Sequence, residues 1–582
     1  MTYQVECVFY IRCNNSPLSG GVLMYLRIIN LTQGERHYKY LKLVETTRYK
    51  GKIVQKTLLN FGNIEQWPED KLSELVWQLN EFCNLKLGPR PEDVDVHDTF
   101  DFGACWAVNA VWNQLNLSDT IRHHMHDHAC DIDIVVPVKA MVFNRLLEPA
   151  SKLRVSEWVT TQAIPEIFPA TVPLHHYYRS LDYLMAHKES LEEDIFWNVN
   201  DIFNLDLSLV FYDLTSSYFE GDCCTLAKRG YSRDHRPDCR QIELGLLVNR
   251  EGIPIAHEVW EGNIKDQNTV PDALETLQKR FKIKRCIFVG DNAMATPDII
   301  DRLRNNHYEY ITSLKLRRDS RALDILKNHS LPEYTRFTQL KDNLYIHEIT
   351  APGTGFYTDE RIVICYNPER AQATRRKRDE KLDETREYLK TIKERPPKKG
   401  QPTKPEKILA MVQRNLRKMG THTYFTYGFT AEGIFEYHDN TPAIDHAQRT
   451  DGICMLLTNA AHLKPDEIAL GYRTLSEVEQ AFKDIKNFLR IRPIYHFNIL
   501  RVRGHVFICV LAYLLEKFME KKLKRATIPL SPQKALQILK QIRLVRYTIM
   551  NKPVQKRTDI SPEQENIFHA LGVSEIPQIP MF

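Results

Sequence analysis

Residues Leu209 to Ser217 read LVFYDLTSS, a short apolar run that ends in an aspartate followed by polar residues. Residues Cys286 to Met294 (CIFVGDNAM) repeat the pattern, with Asp291 in the place of Asp213. Such runs are typical of buried strands, and strand ends in a mixed sheet can direct a carboxylate into a cleft. An aspartate after a strand more often forms a turn or caps a helix. Each stretch alone is therefore a weak indication of a site.

The sequence around these stretches predicts an α/β fold. Strand-like runs follow Asp213 at residues 242–248 and 253–259, and a helix at 297–306 leads into another strand at 308–314. Strands joined by a helical crossover form a mixed sheet with flanking helices. The two aspartates are then expected on separate strands of one sheet.

A third carboxylate comes from the helix predicted over residues 475–489 (LSEVEQAFKDIKNFL). Glu479 borders its apolar stripe, whereas Glu477 points elsewhere. Lys486 lies seven residues beyond Glu479, on the same face and roughly 10 Å along the axis. Three carboxylates from separate elements suit phosphoryl transfer with two Mg²⁺ ions, because Asp and Glu supply the oxygen ligands. Lys486 would then hold a DNA phosphate near the ions.

The positive charge of the chain is concentrated in one segment. The 582 residues carry a net charge of +5, whereas residues 375–418 contain 16 Lys/Arg and 7 Asp/Glu and so carry +9. Such a segment indicates contact with a polyanion, above all nucleic acid, but a solvated helical face explains the charge equally well. Pro396 and Pro397 are expected to divide it into two helices. The candidate DNA contacts are Lys398, Lys399, Arg417 and Lys418.

The chain resembles the DDE transposases of bacterial insertion sequences, in the branch with a β-rich insertion before the catalytic Glu. That branch has a Y-x2-R-x3-E-x6-K pattern, which Tyr472, Glu479 and Lys486 match at full spacing. Leu475 stands at the arginine position, and Arg473 lies two residues early. Further stretches that resemble this branch are DFGACWAV (101–108), FNRLLEPASKL (143–153), RGYSRDHRPDCRQIELGLLV (229–248), EGNIKDQNT (261–269) and RPIYH (492–496).

The resemblance covers about residues 24–570 and implies both a fold and an activity. The fold is a ribonuclease H-like catalytic core interrupted by the insertion, with a mainly helical N-terminal region. Asp213, Asp291 and Glu479 are implied as ligands of two Mg²⁺ ions, with Mn²⁺ as a substitute, and Tyr472 and Arg473 as DNA contacts. The implied partners are double-stranded DNA, at the terminal inverted repeats and the target, and a second copy of the chain in a synaptic homodimer.

A second basic stretch, residues 228–240, leads into the strand at 242–248 and places cations near Asp213. The resemblance favours contact with the DNA backbone, and the alternative is a solvated loop that pairs with Asp234 and Asp238. The candidate DNA contacts are Lys228, Arg229, Arg233, Arg236 and Arg240.

Composition and apolar patterning suggest how the chain divides and where it resides. The apolar run at 506–515 is half the roughly 20 residues that span a bilayer, and no secretory signal is visible. We therefore expect a buried core helix in a cytoplasmic, nucleoid-associated protein without membrane contact. The expected regions are a disordered arm or mis-assigned start (1–23), a small N-terminal α+β domain (24–97), a helical DNA-binding region (98–205), the catalytic core (206–320 and 450–520), the insertion domain (321–449) and a C-terminal helical region (521–582).

Three functions are consistent with these residues. The first is a transposase that cleaves element ends and joins their 3′-OH ends to target DNA. The second is a nuclease with the same core that does not join DNA, and the third is an inactive DNA-binding relic. Retention of Asp213, Asp291, Glu479 and Lys486 argues against the relic. The nuclease differs from the transposase only in whether water or a DNA 3′-OH attacks the phosphate.

Overall fold

The computed structural model describes residues 2–11, 23–33, 36–49, 52–63, 67–68, 71, 74–76, 78–79, 94–124, 132–203, 207–221, 224–283, 286–292, 296–316, 322, 325, 337–341, 343–349, 357, 359–394, 404–549 and 552–578. The chain divides into two compact units. One consists of Met1–Asp95 and Thr548–Pro553, and the other of Val96–Tyr547 and Val554–Phe582.

The first unit contains an antiparallel sheet of four strands, β1 (Thr2–Ile11), β2 (Leu23–Gln33), β3 (Arg36–Tyr49) and β4 (Lys52–Asn63). Each strand pairs with the next along the chain. The disordered arm expected at 1–23 is therefore wrong for residues 2–11, which pair with β2 from Thr2 to Ile11. The physical reason is composition, because TYQVECVFYI is rich in the aromatic and β-branched residues that favour strands. Residues 12–22 lie outside the described residues.

The second unit is built on a nine-stranded mixed sheet. Its strands are β6 (Leu209–Tyr218), β7 (Gln241–Asn249), β8 (Pro254–Glu261), β9 (Ile287–Val289), β10 (Glu309–Ser313), β11 (Thr338–Lys341), β12 (Leu344–Ile349), β13 (Arg361–Tyr366) and β16 (Ile453–Thr458). Their order across the sheet is β11-β12-β13-β16-β10-β9-β6-β7-β8.

Five of these strands form a ribonuclease H-like core. Strands β6, β7 and β8 form an antiparallel meander. Strand β9 then pairs parallel to β6 on its other side, and β10 pairs parallel to β9. The order β8-β7-β6-β9-β10 is that of a ribonuclease H-like sheet, as the resemblance implied. Strand β6 is apolar and buried along most of its length because it lies between two neighbours and under helices.

Helices cover the sheet and form most of the rest of this unit. They are α1 (Gly103–Gln114), α2 (Leu117–His123), α3 (Val135–Leu147), α4 (Lys152–Trp158), α5 (Leu174–Ala186), α6 (Lys188–Phe203), α7 (Val270–Glu275), α8 (Pro297–Asn305), α9 (Pro368–Lys393), α10 (Pro405–Met419), α11 (Thr441–Arg449), α12 (Pro465–Arg473), α13 (Ser476–Lys483), α14 (Ile499–Arg525), α15 (Pro532–Leu539) and α16 (Pro562–Ala570). The apolar run at 506–515 lies in α14 and is buried, as predicted. Within the part of the chain that the structure describes, no helix is long and apolar enough to cross a membrane.

The insertion between β10 and β16 contains five strands within the described residues, as the resemblance implied. Strands β11 to β13 extend the catalytic sheet through the pairing of β13 with β16. The remainder consists of α9, α10, α11 and one hairpin, β14 (Phe425–Phe429) with β15 (Phe435–Asp439). This part has its own apolar core, which includes Leu389, Leu416 and Phe425. The charged run starting at residue 368 is helical because it has strong helix formers, so helices accompany the strands of the insertion.

The C-terminal region, which was predicted to be helical, also contains strands. Beside α15 and α16 it contains β17 (Arg543–Ile549) and β18 (Lys552–Arg557). These two strands form a sheet with β5 (Val94–Asp101), in the order β18-β17-β5. Strands β5 and β17 are more than 400 positions apart in the sequence, so local sequence patterns could not predict their pairing.

Candidate active site

The register of the parallel strands places Asp213 and Asp291 side by side. Phe211 of β6 is the partner of Val289 of β9, and each aspartate lies two residues beyond its member of this pair. Neighbouring strands lie about 4.8 Å apart, so the two carboxylates start from adjacent positions at the same edge. Asp213 lies inside β6 and not at its end, because β6 continues to Tyr218 in its pairing with β7.

The backbone around Asp291 is held by β10. The amide of Gly290 donates to the carbonyl of Ile311 over 3.2 Å, and the Thr312 hydroxyl donates to the carbonyl of Asp291 over 2.7 Å. Asp291 is half-buried. The loop after β9 is thus fixed at the point where it turns away from the sheet.

Glu479 comes from α13, which packs against β6. Val478 and Phe482 of this helix are buried, and Glu479 is exposed beside them. The helix is shorter than predicted, since it begins at Ser476 and continues after Lys483 as a π-helical turn over Asp484–Phe488. Tyr472 belongs to the separate helix α12, which ends at Arg473.

The three carboxyl groups influence one another electrostatically. The pKa of Asp213 is raised to about 7, first by burial, then by the negative charge of Asp291 and, to a smaller extent, by that of Glu479. The Arg233 guanidinium opposes this effect. Three hard oxygen donors whose charges repel fit the chemistry of a divalent cation. Among the described residues, however, no three Asp, Glu, His or Cys side chains already stand in a ligating cluster.

Lys486 forms an ion pair that the sequence did not predict. Its ammonium donates to Asp234 Oδ1 over 2.7 Å, and the guanidinium of Arg492 contacts the same carboxylate. The Asp234 side chain is 3 % exposed and that of Lys486 is 10 % exposed. Sequence patterns did not identify Arg492 and Asp234 as site residues. Both lie in stretches that resemble the transposase branch, 229–248 and 492–496, and this resemblance could have indicated them. The pair fixes the 228–240 loop to the region just after α13.

The cations of the 228–240 loop divide into paired and exposed side chains. Arg233 binds Glu243 at 2.6 Å and Asp266 at 2.9 Å. Arg236 donates to Asp238 at 2.8 Å and lies 5.0 Å from the ring of Tyr218. These ion pairs correspond to the alternative of internal pairing. Lys228 and Arg240 are half-buried, and Arg229 is exposed.

The remaining DNA-contact candidates lie in different surroundings. Tyr472 donates its hydroxyl to Ser313 Oγ over 2.9 Å, and burial raises its pKa, so its polar end faces β10. Arg473 is exposed at the end of α12.

The basic segment consists of α9 and α10, two helices on either side of the prolines, as predicted. Arg417 and Lys418 are exposed in the last turn of α10. Lys398 and Lys399 lie outside the described residues. Arg378 is buried and binds Asp451 at 2.7 Å, so part of the positive charge is structural.

Residues 123–130 (HHMHDHAC) have the composition of a metal site, but their alternate spacing on a helix would splay the ligands around the axis, so the pattern predicts a polar helix end. Helix α2 ends at His123, and His124 Nε2 lies 2.7 Å from Asp194 Oδ2. Residues 125–131 lie outside the described residues, so the interpretation of the whole stretch stays a prediction.

The strand order and the adjacent positions of Asp213 and Asp291 on it define a ribonuclease H-like protein. Residues 206–515 match the family model "Transposase DDE domain", and residues 26–89 match "IS1634 family transposase, N-terminal domain". The chain belongs to the DDE transposases of bacterial insertion sequences. It is therefore an enzyme of DNA transposition, and DDE transposase domains generally use divalent metal ions. No curated protein sequence matches the chain.

Two solved structures are similar in part. One is the cryo-EM structure of the piggyBac transposase synaptic complex with hairpin DNA, at 8 % identity and a TM-score of 0.35, covering 78 % of this chain and 81 % of that one. The other is the Mos1 transposase paired-end complex with left transposon end, at 15 % identity and a TM-score of 0.14, covering 43 % and 68 %. Similarities this weak carry no argument about the chemistry.

Proposed function

We propose that this transposase cleaves the DNA at the ends of its element and joins the resulting 3′-OH ends to target DNA. The observation that carries the proposal is the register of β6 and β9, which places Asp213 and Asp291 at equivalent positions on adjacent strands. Glu479 adds a third carboxylate whose charge acts on Asp213. Hydrolysis and strand joining are both in-line displacements at phosphorus, so one centre serves both steps.

Asp213, Asp291 and Glu479 would hold two Mg²⁺ ions, with Mn²⁺ as a substitute. When bound, such ions stabilise the charge of the attacking and leaving oxygens. The chain's own residues orient this centre: β10 fixes the backbone of Asp291, and α13 holds Glu479 against β6. Lys486 would contact the DNA backbone once its ammonium is released from Asp234, with which it is paired in this structure.

The partners that we propose are double-stranded DNA and a second copy of the chain. The exposed cations Arg229, Arg417, Lys418 and Arg473 support contact with phosphates. Lys398 and Lys399 belong to the same proposal through the charge of their segment. Joining two element ends to one target requires both ends to be held together, and a synaptic homodimer provides one active centre for each end.

The test uses a plasmid that carries the gene with its flanking DNA, incubated with the purified chain and Mg²⁺. We expect end cleavage and joined products from the wild type. Asp213→Ala, Asp291→Ala and Glu479→Ala should each lower the cleavage rate on the order of 10³-fold, because several kcal/mol of transition-state stabilisation are lost. Binding to the plasmid should persist, because the Lys/Arg phosphate contacts remain.

Glu477→Ala is the matched control, since Glu477 lies on the same helix and faces Lys517, at 3.8 Å, and not the three carboxylates. It should cleave at the wild-type rate. Near wild-type cleavage by any one of the three alanine variants would refute the assignment of that residue. Cleavage without joined products would support the nuclease instead.

A further inference from the structure

Two stretches of the resemblance that carry none of the three proposed metal ligands contribute to one cavity. The cavity has a volume of about 530 Å³. Its lining comes from Arg145 and residues 149–153, at the end of α3 and the start of α4, from several residues between 490 and 505 that lead into α14, and from Tyr178 of α5. Residues 143–153 and 492–496 were the stretches noted in the sequence. Their convergence is a property of the tertiary structure alone.

The cavity is strongly cationic. Its lining includes Arg145, Lys152, Arg490, Arg492 and Arg501, and the described lining residues include no Asp or Glu. Arg492 and Arg501 reach carboxylates outside the cavity, at Asp234 and Asp182. Within the described part of the chain, no carboxylate forms an ion pair with the other cations of the lining.

Two of these cations are almost fully buried, Arg145 at 6 % and Lys152 at 4 % exposure. Arg145 donates only to backbone carbonyls, those of Leu489, Arg490 and Ala150. The Lys152 ammonium lies 2.9 Å from His505 Nδ1. Burial, together with the charge of Arg145, holds the pKa of Lys152 well below its usual range. Buried cations without a counter-charge are costly, and an anion in the cavity would remove that cost.

Exposed aromatic rings stand at the rim of the same cavity. Tyr495 is 67 % exposed and Phe497 is 68 % exposed, although large apolar rings usually avoid water. Tyr178 lies in the wall, with the Arg501 guanidinium 5.2 Å from its ring centroid. Exposed aromatic rings beside cations are the combination that proteins use to stack unpaired bases above a bound phosphate.

The cavity is attached to the strand that carries Asp213. Ile494 pairs with Phe219, its amide donates to the carbonyl of Tyr218 over 3.2 Å, and its carbonyl accepts from the amide of Glu220 over 3.1 Å. Tyr218 is five residues beyond Asp213, which is roughly 17 Å along a strand. A DNA strand covers that distance in about five base steps of 3.4 Å.

We propose that this cavity binds an unpaired nucleotide of a DNA strand, with its phosphate at Arg145 and Lys152 and its base stacked on Tyr495 or Phe497. This inference rests on the proposed function, since it places the nucleotide a few steps from the reacting phosphate. Duplex DNA does not meet the requirement, because its bases are paired and cannot stack on the rim.

The experiment measures binding of the full chain to fluorescent oligo(dT) of 12 nucleotides and to a 12-base-pair duplex, by anisotropy at fixed salt. Tyr495→Ala with Phe497→Ala should bind oligo(dT) about tenfold more weakly, within the range for loss of base stacking. Binding to the duplex should change less than twofold. Tyr495→Phe keeps the ring and should bind as the wild type does.

Lys152→Met tests the phosphate contact, because it keeps the length of the side chain and removes the ammonium. The slope of log K against log salt for oligo(dT) should shrink by about 0.7, the value for one contact to a single strand. Lys279→Met is the control, since Lys279 is 71 % exposed and pairs with Glu275 far along the sequence from the cavity. Thermal melting checks that each variant folds.

The outcomes separate this inference from the proposed function. Unchanged oligo(dT) binding by the double alanine variant, or an equal loss for oligo(dT) and duplex, would overturn the nucleotide site. A wild-type chain that binds the duplex but not oligo(dT) would overturn it too, and would leave the transposase chemistry intact. A chain that binds neither DNA would count against both.

Discussion

Asp234→Asn should weaken the fold and strengthen DNA binding at the same time. Asp234 is 3 % exposed and neutralises Lys486 and Arg492, whose side chains are 10 % and 24 % exposed. Asparagine keeps the shape and one acceptor oxygen but removes the charge. Breaking a fully buried pair costs 3–5 kcal/mol, and with Arg492 partly exposed we expect a loss of about 2–3 kcal/mol in the free energy of unfolding.

The gain in DNA binding follows from the same change. Two cations that are no longer neutralised become available to phosphates, and each new contact steepens the salt dependence by about 0.9. The slope of log K against log salt for duplex DNA should therefore become steeper by up to about 1.8. The two assays are urea unfolding and fluorescence anisotropy across a series of salt concentrations.

Asp238→Asn is the matched control from the same loop. Asp238 is 62 % exposed and pairs with Arg236 at the surface, and exposed pairs contribute only about 0–1 kcal/mol. If Asp234→Asn unfolds like the wild type and its salt slope is unchanged, Asp234 does not hold Lys486 and Arg492, and the reasoning fails.

Two further predictions concern the basic segment and a buried acid. The first is the replacement of Lys398, Lys399, Arg417 and Lys418 with Gln. The slope of log K against log salt for DNA binding should become shallower by about 0.9 for each lost contact, and sequence preference should not change. An unchanged slope would mean that the segment is a solvated face. Glu516 is 3 % exposed, and burial first and Asp484 second raise its pKa to about 8 from 4.5. Because the folded state holds the proton of Glu516 more tightly than the unfolded state, the contribution of this group to stability is fully present below pH 4.5. It is lost as the pH rises towards 8. Glu516→Gln should remove this loss and raise the free energy of unfolding by about 3 kcal/mol at pH 7. The measurement is urea unfolding between about pH 5 and 8. A variant that keeps the wild-type pH dependence would contradict the assignment.

The sequence by itself determined the elements of the core and the two strands that lead to Asp213 and Asp291. Apolar runs of strand length ending in or near aspartate placed Asp213 and Asp291 on two strands, because burial on both faces of a central strand requires continuous apolar residues. The buried run at 506–515 was equally clear, since a stretch too short for a bilayer and free of charge belongs in a core. Pro396 and Pro397 likewise indicated the division between α9 and α10.

Only the tertiary structure decided which charges meet. The sequence showed that the 228–240 loop contains cations and acids, but the partners of Asp234 lie more than 250 residues away. Sequence patterns likewise could not predict that the segments 145–153 and 490–505 meet at the cationic cavity. Local patterns report which face of an element is buried, whereas pairing between distant elements depends on packing that no short stretch encodes.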